Sequence, residues 1–268
     1  MEKYFLTNMN RAAGGELVDT LTKQAYYTEA EIAGYIRQLL WGLEYMHSNQ
    51  YAHLGLTVIS VIINFHRVNR LSKLISPLLI ILIINYSQLG DLLISHTGGD
   101  DLKICDFGLA RRISHAKMMT LLYGMPEYVA PEVTNNEGVS FSADMWSVGI
   151  ITYILLSGIS PFRGNNDKET LMKIREGKWE FDDRWKNISE DGKDFIRSLL
   201  MYNVERRMDV TAALAHPWLT YADKSPLNFY KIPSENLKNY YKLYRLVINY
   251  SLCFKRKNIY FFFSYVSS

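Results

Sequence analysis

The run ADMWSVGIITYILLSG, from Ala143 to Gly158, restricts the possible folds more than any other segment of the chain. It is long enough for about four helical turns and carries apolar side chains on almost every face. Such a helix has no polar side to present to water. The run therefore predicts a helix in the centre of a domain, enclosed by other elements.

Amphipathic segments that can enclose this helix precede and follow it in the sequence. Thr28 and Glu31 have the spacing of a capping box, and apolar residues from Ile32 to Met46 follow at helical spacing. This pattern predicts a helix that ends near residues 48–50. Helical spacing also occurs in three later segments: 167–177, 190–201 and 209–215.

Residues 92–105 contain the clearest strand pattern. They form two short runs, LLIS and LKIC, separated by HTGGDD. The two glycines at 98 and 99 supply the conformational freedom of a tight turn, so a β-hairpin is predicted here. The chain is thus expected to be mainly helical.

Composition excludes several classes of protein. The chain has 48% hydrophobic and 21% charged residues, as globular proteins do, and its net charge of +3 is too small to indicate nucleic-acid or membrane binding. Cys105 and Cys253 cannot make a disulfide framework, which predicts a cytoplasmic setting. The apolar stretch Leu74–Tyr86 contains Pro77 and is shorter than the roughly 20 residues of a spanning helix. A membrane-associated fragment is an alternative that rests on this stretch alone.

A series of short motifs narrows the fold class. Asp106-Phe107-Gly108 follows the second predicted strand. Further motifs follow it in this order: Ala130-Pro131-Glu132, Asp144-x-Trp146, Pro161-Phe162, Arg207 and His216-Pro217-Trp218-Leu219. The series resembles the activation segment and large lobe of a Ser/Thr protein kinase. The segments GGELVD and YGMPEYVAPEV are similar in sequence to the corresponding segments of the calmodulin-kinase and myosin-light-chain-kinase branch, which includes the titin and obscurin type of giant muscle kinase.

The resemblance implies a protein-kinase-like fold, with a mainly α-helical large lobe and short β-hairpins. The chain contains neither a glycine-rich phosphate loop nor the family's strand-lysine motif, so the small β-rich lobe is expected to be essentially absent. The expected division is a hinge-side segment, a large lobe with an insert, a post-kinase segment and a tail unlike the family. These are residues 1–11, 12–222 with the insert 58–88, 223–245 and 246–268.

Mg-ATP is the cofactor that the resemblance implies. Asp106 would hold a magnesium ion that bridges the nucleotide phosphates, and Asp91 would be the second metal ligand. Phe107 and Gly108 complete the motif of Asp106. The large lobe would bind a peptide or another protein partner.

Other motif residues are expected to have structural roles. Glu132 and Arg207 would form a buried ion pair that ties the activation segment to the base of the lobe. Asp144 would anchor the backbone of the catalytic loop, which begins at His53. These roles are likewise implied by the resemblance.

The catalytic loop departs from the family pattern H-R-D-L-K-P-E-N. This chain has His53-Leu54-Gly55-Leu56-Thr57. Gly55 stands at the place of the proton-accepting aspartate, Thr57 at that of the lysine and Leu54 at that of the arginine. Met125 replaces the threonine of the family motif G-T-P-E, and a thioether cannot donate that residue's hydrogen bond. These replacements predict a loss of catalysis.

The insert has two explanations that the sequence leaves open. Joining Thr57 to Leu89 restores the family's spacing and places Asp91 at the second metal-ligand position. The removed segment begins with Val58, whose codons all start with GT, and ends with Gln88, whose codon can be CAG. These are the ends of an intron, so 58–88 is interpreted as translated intron, with a genuine insertion as the alternative.

Two functions follow from these observations. The first is an inactive pseudokinase that acts as an interaction or scaffold module of a larger cytoskeletal or muscle protein. The second is an ATP-dependent Ser/Thr kinase whose sequence is truncated. Either function predicts a cytoplasmic protein with a sarcomeric or cytoskeletal setting.

Overall fold

A computed structural model describes residues 16–57, 61–64, 101–104, 107–113, 125–220 and 230–244. The helices in these ranges are α1 (Leu17–Lys23), α2 (Glu29–Ser48), α3 (Pro131–Thr134), α4 (Ser142–Ser157), α5 (Asp167–Glu176), α6 (Glu190–Leu199), α7 (Val210–Leu214), α8 (Pro217–Thr220) and α9 (235–244). The strands are β1 (Tyr26–Thr28), β2 (Tyr51–Ala52), β3 (Val61–Asn64), β4 (Asp101–Ile104), β5 (Arg111–Arg112) and β6 (Lys231–Pro233). They form three antiparallel pairs, β1–β6, β2–β5 and β3–β4.

Helix α4 lies in the centre of the lobe, as its sequence predicts. Every residue from Ala143 to Ser157 is buried, and helices α2 and α6 pack against it. Gly158 ends the helix with a φ of 73°, and a Cβ at this position would lie 2.6 Å from the backbone of Asn236. Only glycine meets both conditions without strain.

Helix α2 confirms the predicted capping box. Thr28 is the N-cap, and its side chain and that of Glu31 bond reciprocally to each other's backbone. Glu29, in the first turn, is buried and accepts hydrogen bonds from Ser189 N (3.1 Å) and Trp218 Nε1 (2.7 Å). This carboxylate joins the start of α2 to the start of α6 and to α8.

The strand pairing differs from the prediction. The predicted second strand is present as β4, but its partner is β3, with Val61 opposite Ile104 and Asn64 opposite Asp101. Residues 92–95, the expected partner, and the glycines at 98 and 99 lie outside the described residues. The β-branched residues of β3 suit a strand, and they follow the loop 53–57 closely in the chain. None of the three described pairs is a tight hairpin, and the predicted hairpin of 92–105 stays a prediction.

The segment after the large lobe packs on it. Strand β6 pairs with β1, and Ser234 Oγ donates to the carbonyls of Gln24 (2.6 Å) and Ala25 (3.1 Å). Helix α9 buries Leu237 and Tyr244 in the core. No helix in the described ranges has the length and apolar character needed to cross a membrane. Leu74–Tyr86 and residues 1–11 and 246–268 are outside those ranges.

Candidate functional site

The loop 53–57 follows β2 and is held by the central helix. Asp144, fully buried in the first turn of α4, accepts hydrogen bonds from His53 N (2.8 Å) and Leu54 N (2.7 Å). Its Oδ2 also lies 2.9 Å from Nε2 of the buried His47. Hydrogen bonds to a carboxylate are stronger than those between neutral groups, and burial shields them from water. One side chain therefore sets the path of the loop backbone at two successive residues.

Leu54 has an uncommon backbone conformation. Its φ is 61°, in the left-handed region, where a bulky residue is strained. The cost for a residue with a Cβ is roughly 1–2 kcal/mol. The hydrogen bond from Leu54 N to Asp144 stabilises this conformation.

Gly55 provides no chemical group at the expected base position. Its N–H lies 3.3 Å from His53 Nδ1, and a Cβ built on it would lie 3.3 Å from Leu109 Cδ1. That spacing is tight, but the neighbour is the end of a flexible side chain that can shift by a few tenths of an ångström. The space at this position thus accepts a side chain, although the sequence has none. Thr57, two residues further on, is half-buried.

Phe107 connects the loop to the segment after β4. Its ring is buried, with its centroid 5.0 Å from that of the His53 imidazole. Asp106, the residue before it, and Asp91 lie outside the described residues. Within the described ranges, no cluster of three or more His, Cys, Asp or Glu side chains could hold a metal ion.

Glu132 and Arg207 form a buried bidentate ion pair. The two Nη atoms of Arg207 lie 2.7 and 2.9 Å from the two carboxylate oxygens, and both side chains are almost completely buried. The guanidinium also donates to the carbonyls of Met201 (3.0 Å) and Ser142 (2.9 Å), and it lies over the ring of Trp146 at 5.0 Å. The pair fastens α3 to the loop before α7.

The residues that follow Met125 contact helix α9. Met125 is half-buried against the core and precedes a short 3₁₀ helix, Pro126–Tyr128. Tyr240 of α9 donates a hydrogen bond to Glu127 Oε1 (2.9 Å), and its hydroxyl lies 2.7 Å from that of Tyr128. The sequence does not predict this contact, and its one signal is the helical spacing of tyrosines in NLKNYYKLYR.

Burial controls the protonation of this cluster. It raises the pKa of Glu127, and the hydrogen bond from Tyr240 only partly offsets the effect. Burial also raises the pKa of Tyr128 and of Tyr240 well above their usual value, so both phenols keep their protons at neutral pH. The cluster is a structural contact between the activation segment and α9.

Comparison with known proteins identifies the family. The family model of the protein kinase domain matches residues 89–219. Smooth-muscle myosin light chain kinase of Gallus gallus is 36% identical over 87% of this chain, and a titin homolog of Caenorhabditis elegans is 37% identical over 78%. A solved twitchin kinase fragment from C. elegans, described as an autoregulated protein kinase with immunoglobulin domains, superposes with a TM-score of 0.71 at 33% identity over 88% of this chain.

The matches concern a small part of most of these proteins. The chain spans 11% of the myosin light chain kinase, 1% of the titin homolog and 46% of the twitchin fragment. The matches nevertheless cover 87%, 78% and 88% of this chain, at identities above 30%. By these likenesses the chain belongs to the protein kinase family and is similar to its myosin light chain kinase, titin and twitchin members.

Proposed function

We propose that this domain is a catalytically inactive kinase-like module that works by binding protein partners. The observation that carries the proposal is Gly55. Phosphoryl transfer in this family uses an aspartate of the catalytic loop to accept the proton of the substrate hydroxyl. A glycine at this position has no group that can accept it.

Two further replacements support the same conclusion. Thr57 stands where the family has a lysine that contacts the transferred phosphate, and threonine carries no positive charge. Met125 replaces a threonine whose hydroxyl would bond to the aspartate and the lysine. Gly55, Thr57 and Met125 therefore replace the aspartate, the lysine and the threonine of one hydrogen-bonded set. Such a joint replacement is expected when the set no longer serves catalysis.

The retained contacts favour a binding role. The hydrogen bonds of Asp144 and the ion pair of Glu132 with Arg207 support the lobe without using any catalytic group. A lobe with this support can present a stable surface to another protein. By similarity to giant muscle kinases, we place the protein in the cytoplasm, with the sarcomere or cytoskeleton as its setting and without nucleic acid as a ligand.

The test is phosphoryl transfer from Mg-ATP to a generic Ser/Thr peptide. We expect no turnover above the uncatalysed background, and any residual turnover should rise about 10²–10⁴-fold in Gly55→Asp, the usual contribution of a general base. Gly138→Asp is the matched control, because a Cβ there meets nothing within 4 Å. Turnover by the unchanged protein that Gly55→Asp does not raise would show that another group accepts the proton.

The second candidate is an active Ser/Thr kinase whose sequence is incomplete. Protein kinases use Mg-ATP, and the sequence keeps Asp106 and Asp91 as candidate magnesium ligands. Nucleotide binding can be measured apart from transfer, as a rise in melting temperature with Mg²⁺ and ATP together but not with either alone. Such a rise combined with peptide turnover would favour this candidate, whereas a rise without turnover fits an inactive module that binds nucleotide.

A further inference from the structure

Helix α9 packs on the lobe through one face. Its buried side chains recur at helical spacing and are Leu237, Tyr240, Tyr241 and Tyr244, whereas Leu243 on the other side is 53% exposed. Only strand β6 and this face of the helix join the segment 230–244 to the other described residues. Such a segment can open as a unit while the rest of a lobe stays folded.

Glu127 lies beneath the buried face of α9, and its two carboxyl oxygens differ. Oε1 accepts a hydrogen bond from the hydroxyl of Tyr240 (2.9 Å), which lies 2.7 Å from the hydroxyl of Tyr128. The ring of Tyr244 stacks on that of Tyr240, with the centroids 5.8 Å apart. Oε2 is buried and makes no hydrogen bond of ordinary geometry with the described residues. A proton on Oε2 therefore removes a buried charge and leaves Oε1 as the acceptor for Tyr240.

The groups that face this carboxyl group act in opposite directions. Burial disfavours its charge most strongly, and the negative charge of Asp167, at the start of α5, acts in the same direction. The hydroxyls of Tyr240 and Ser160 and the positive charge of Arg163 favour the ionised form, but they do not outweigh burial. The pKa of Glu127 is therefore raised while α9 is in place.

Removal of α9 reverses the balance at Glu127. The rings of Tyr240 and Tyr244 leave with the helix, and water then reaches the carboxyl group. A solvated glutamate has a pKa of about 4.3. Between that pH and the raised pKa, the carboxyl group is protonated when α9 is in place and ionised when α9 is off the lobe. In this interval the binding of α9 to the lobe weakens as pH rises.

We propose that packing of α9 on the lobe is coupled to uptake of one proton by Glu127, so that this contact is a pH-sensitive latch. The helix stays in place in mildly acidic solution and opens more readily as the solution becomes less acidic. Opening makes residues 126–128 accessible. That this surface then receives a protein partner rests on the proposed function, whereas the coupling itself does not.

Amide hydrogen exchange from about pH 4 to about pH 7 measures the coupling, because a protection factor divides out the intrinsic pH dependence of exchange. The amides of α9 report its opening, and those of α4 report unfolding of the whole lobe. Protection of α9 should be lower than that of α4 and should fall as pH rises, by at most about tenfold per pH unit for one proton. In Glu127→Gln, which keeps an acceptor for Tyr240 without a charge, this fall should be absent. Glu176→Gln, a change at an exposed residue of α5, is the matched control and should keep it.

Linkage is reciprocal, so loss of the helix contact should return Glu127 to its ordinary pKa. Leu237 is completely buried, and Leu237→Asp places a charge on the buried face that keeps α9 off the lobe. NMR titration of the Glu127 carboxyl carbon should then give a pKa of about 4.3, and a higher pKa in the unchanged protein. Leu243→Asp is the control, because Leu243 lies on the exposed side of the helix, and it should keep the raised pKa.

Any of four results, obtained while α4 remains protected, would overturn the latch. Two concern pH: protection of α9 that does not change with pH in the unchanged protein, or a fall that survives in Glu127→Gln. The third is equal protection of α9 and α4, since the helix would then open only with the whole lobe. The fourth is the same pKa of Glu127 with and without Leu237→Asp. None of these readouts depends on ATP or on turnover, so failure here is distinguishable from failure of the proposed function.

Discussion

Replacement of Asp144 by asparagine tests whether one carboxylate holds the catalytic loop. Asparagine has nearly the same shape, but one of its two terminal atoms is an NH₂ group that cannot accept a hydrogen bond. In the native arrangement Oδ1 accepts from Leu54 N, and Oδ2 accepts from His53 N beside His47. Either orientation of the amide leaves at least one buried backbone N–H without its acceptor.

The expected loss follows from these contacts. A hydrogen bond to a charged acceptor contributes roughly 1.5–3 kcal/mol, and a buried donor left without a partner costs roughly 1–3 kcal/mol. The bond with the shorter distance, 2.7 Å to Leu54 N, also stabilises the left-handed conformation of that residue. Asp144→Asn should therefore lower the free energy of unfolding by about 3 kcal/mol, with the loop affected first.

Urea denaturation followed by tryptophan fluorescence measures the global effect, and amide exchange of Leu54 measures the local one. Asp183→Asn is the matched control, because Asp183 lies at the surface in an exposed ion pair with Lys186. It should change the free energy of unfolding by less than about 0.5 kcal/mol. If Asp144→Asn stays within 1 kcal/mol of the native protein and the exchange of Leu54 is unchanged, Asp144 does not hold the loop.

Three further changes probe the support of the lobe. Glu132→Gln should lower the free energy of unfolding, measured by urea denaturation, by about 3–5 kcal/mol, because it leaves Arg207 charged and buried without its partner. Replacement of both residues by leucine should recover part of this loss. Burial raises the pKa of Glu127, so the folded state binds this proton more tightly and stability falls as pH rises from about 4.3 through the raised pKa. Glu127→Gln should remove that fall in urea titrations between pH 4 and 7, and an unchanged pH profile would contradict this reading. Gly158→Ala should lower the melting temperature, because its φ of 73° alone costs about 1–2 kcal/mol for alanine; an unchanged melting temperature would show that this turn can relax.

Strong local patterns allowed the helical part of the fold to be predicted. The all-round apolar run required a central helix, and it is found at Ser142–Ser157. The capping box at Thr28 predicted the exact residue at which α2 begins. Both signals depend on neighbours a few residues apart, which is the range that a sequence displays directly.

The strands could not be predicted in the same way. Each described pair joins segments far apart in the chain, as when Tyr27 meets Ile232 or Ala52 meets Arg111. Strands of two to four residues carry too little periodicity to specify such partners. The hairpin expected for 92–105 is a local prediction, and it stays one because residues 92–100 lie outside the described ranges. The contact of Tyr240 with Glu127 was missed for a similar reason, since nothing near either residue indicates the other.

The contacts that hold the loop are separate from the side chain at the expected base position, so the lobe can remain folded whichever residue stands there. The loop is held through backbone groups of His53 and Leu54, which every residue type except proline possesses. A side chain at position 55 would take no part in those bonds, and among the described residues the nearest neighbour of a Cβ there would be Leu109. A change at position 55 is therefore expected to cost little stability, whereas loss of Asp144 would cost much. A lobe under selection for binding alone should accordingly tolerate change at 55 while it keeps the carboxylate at 144.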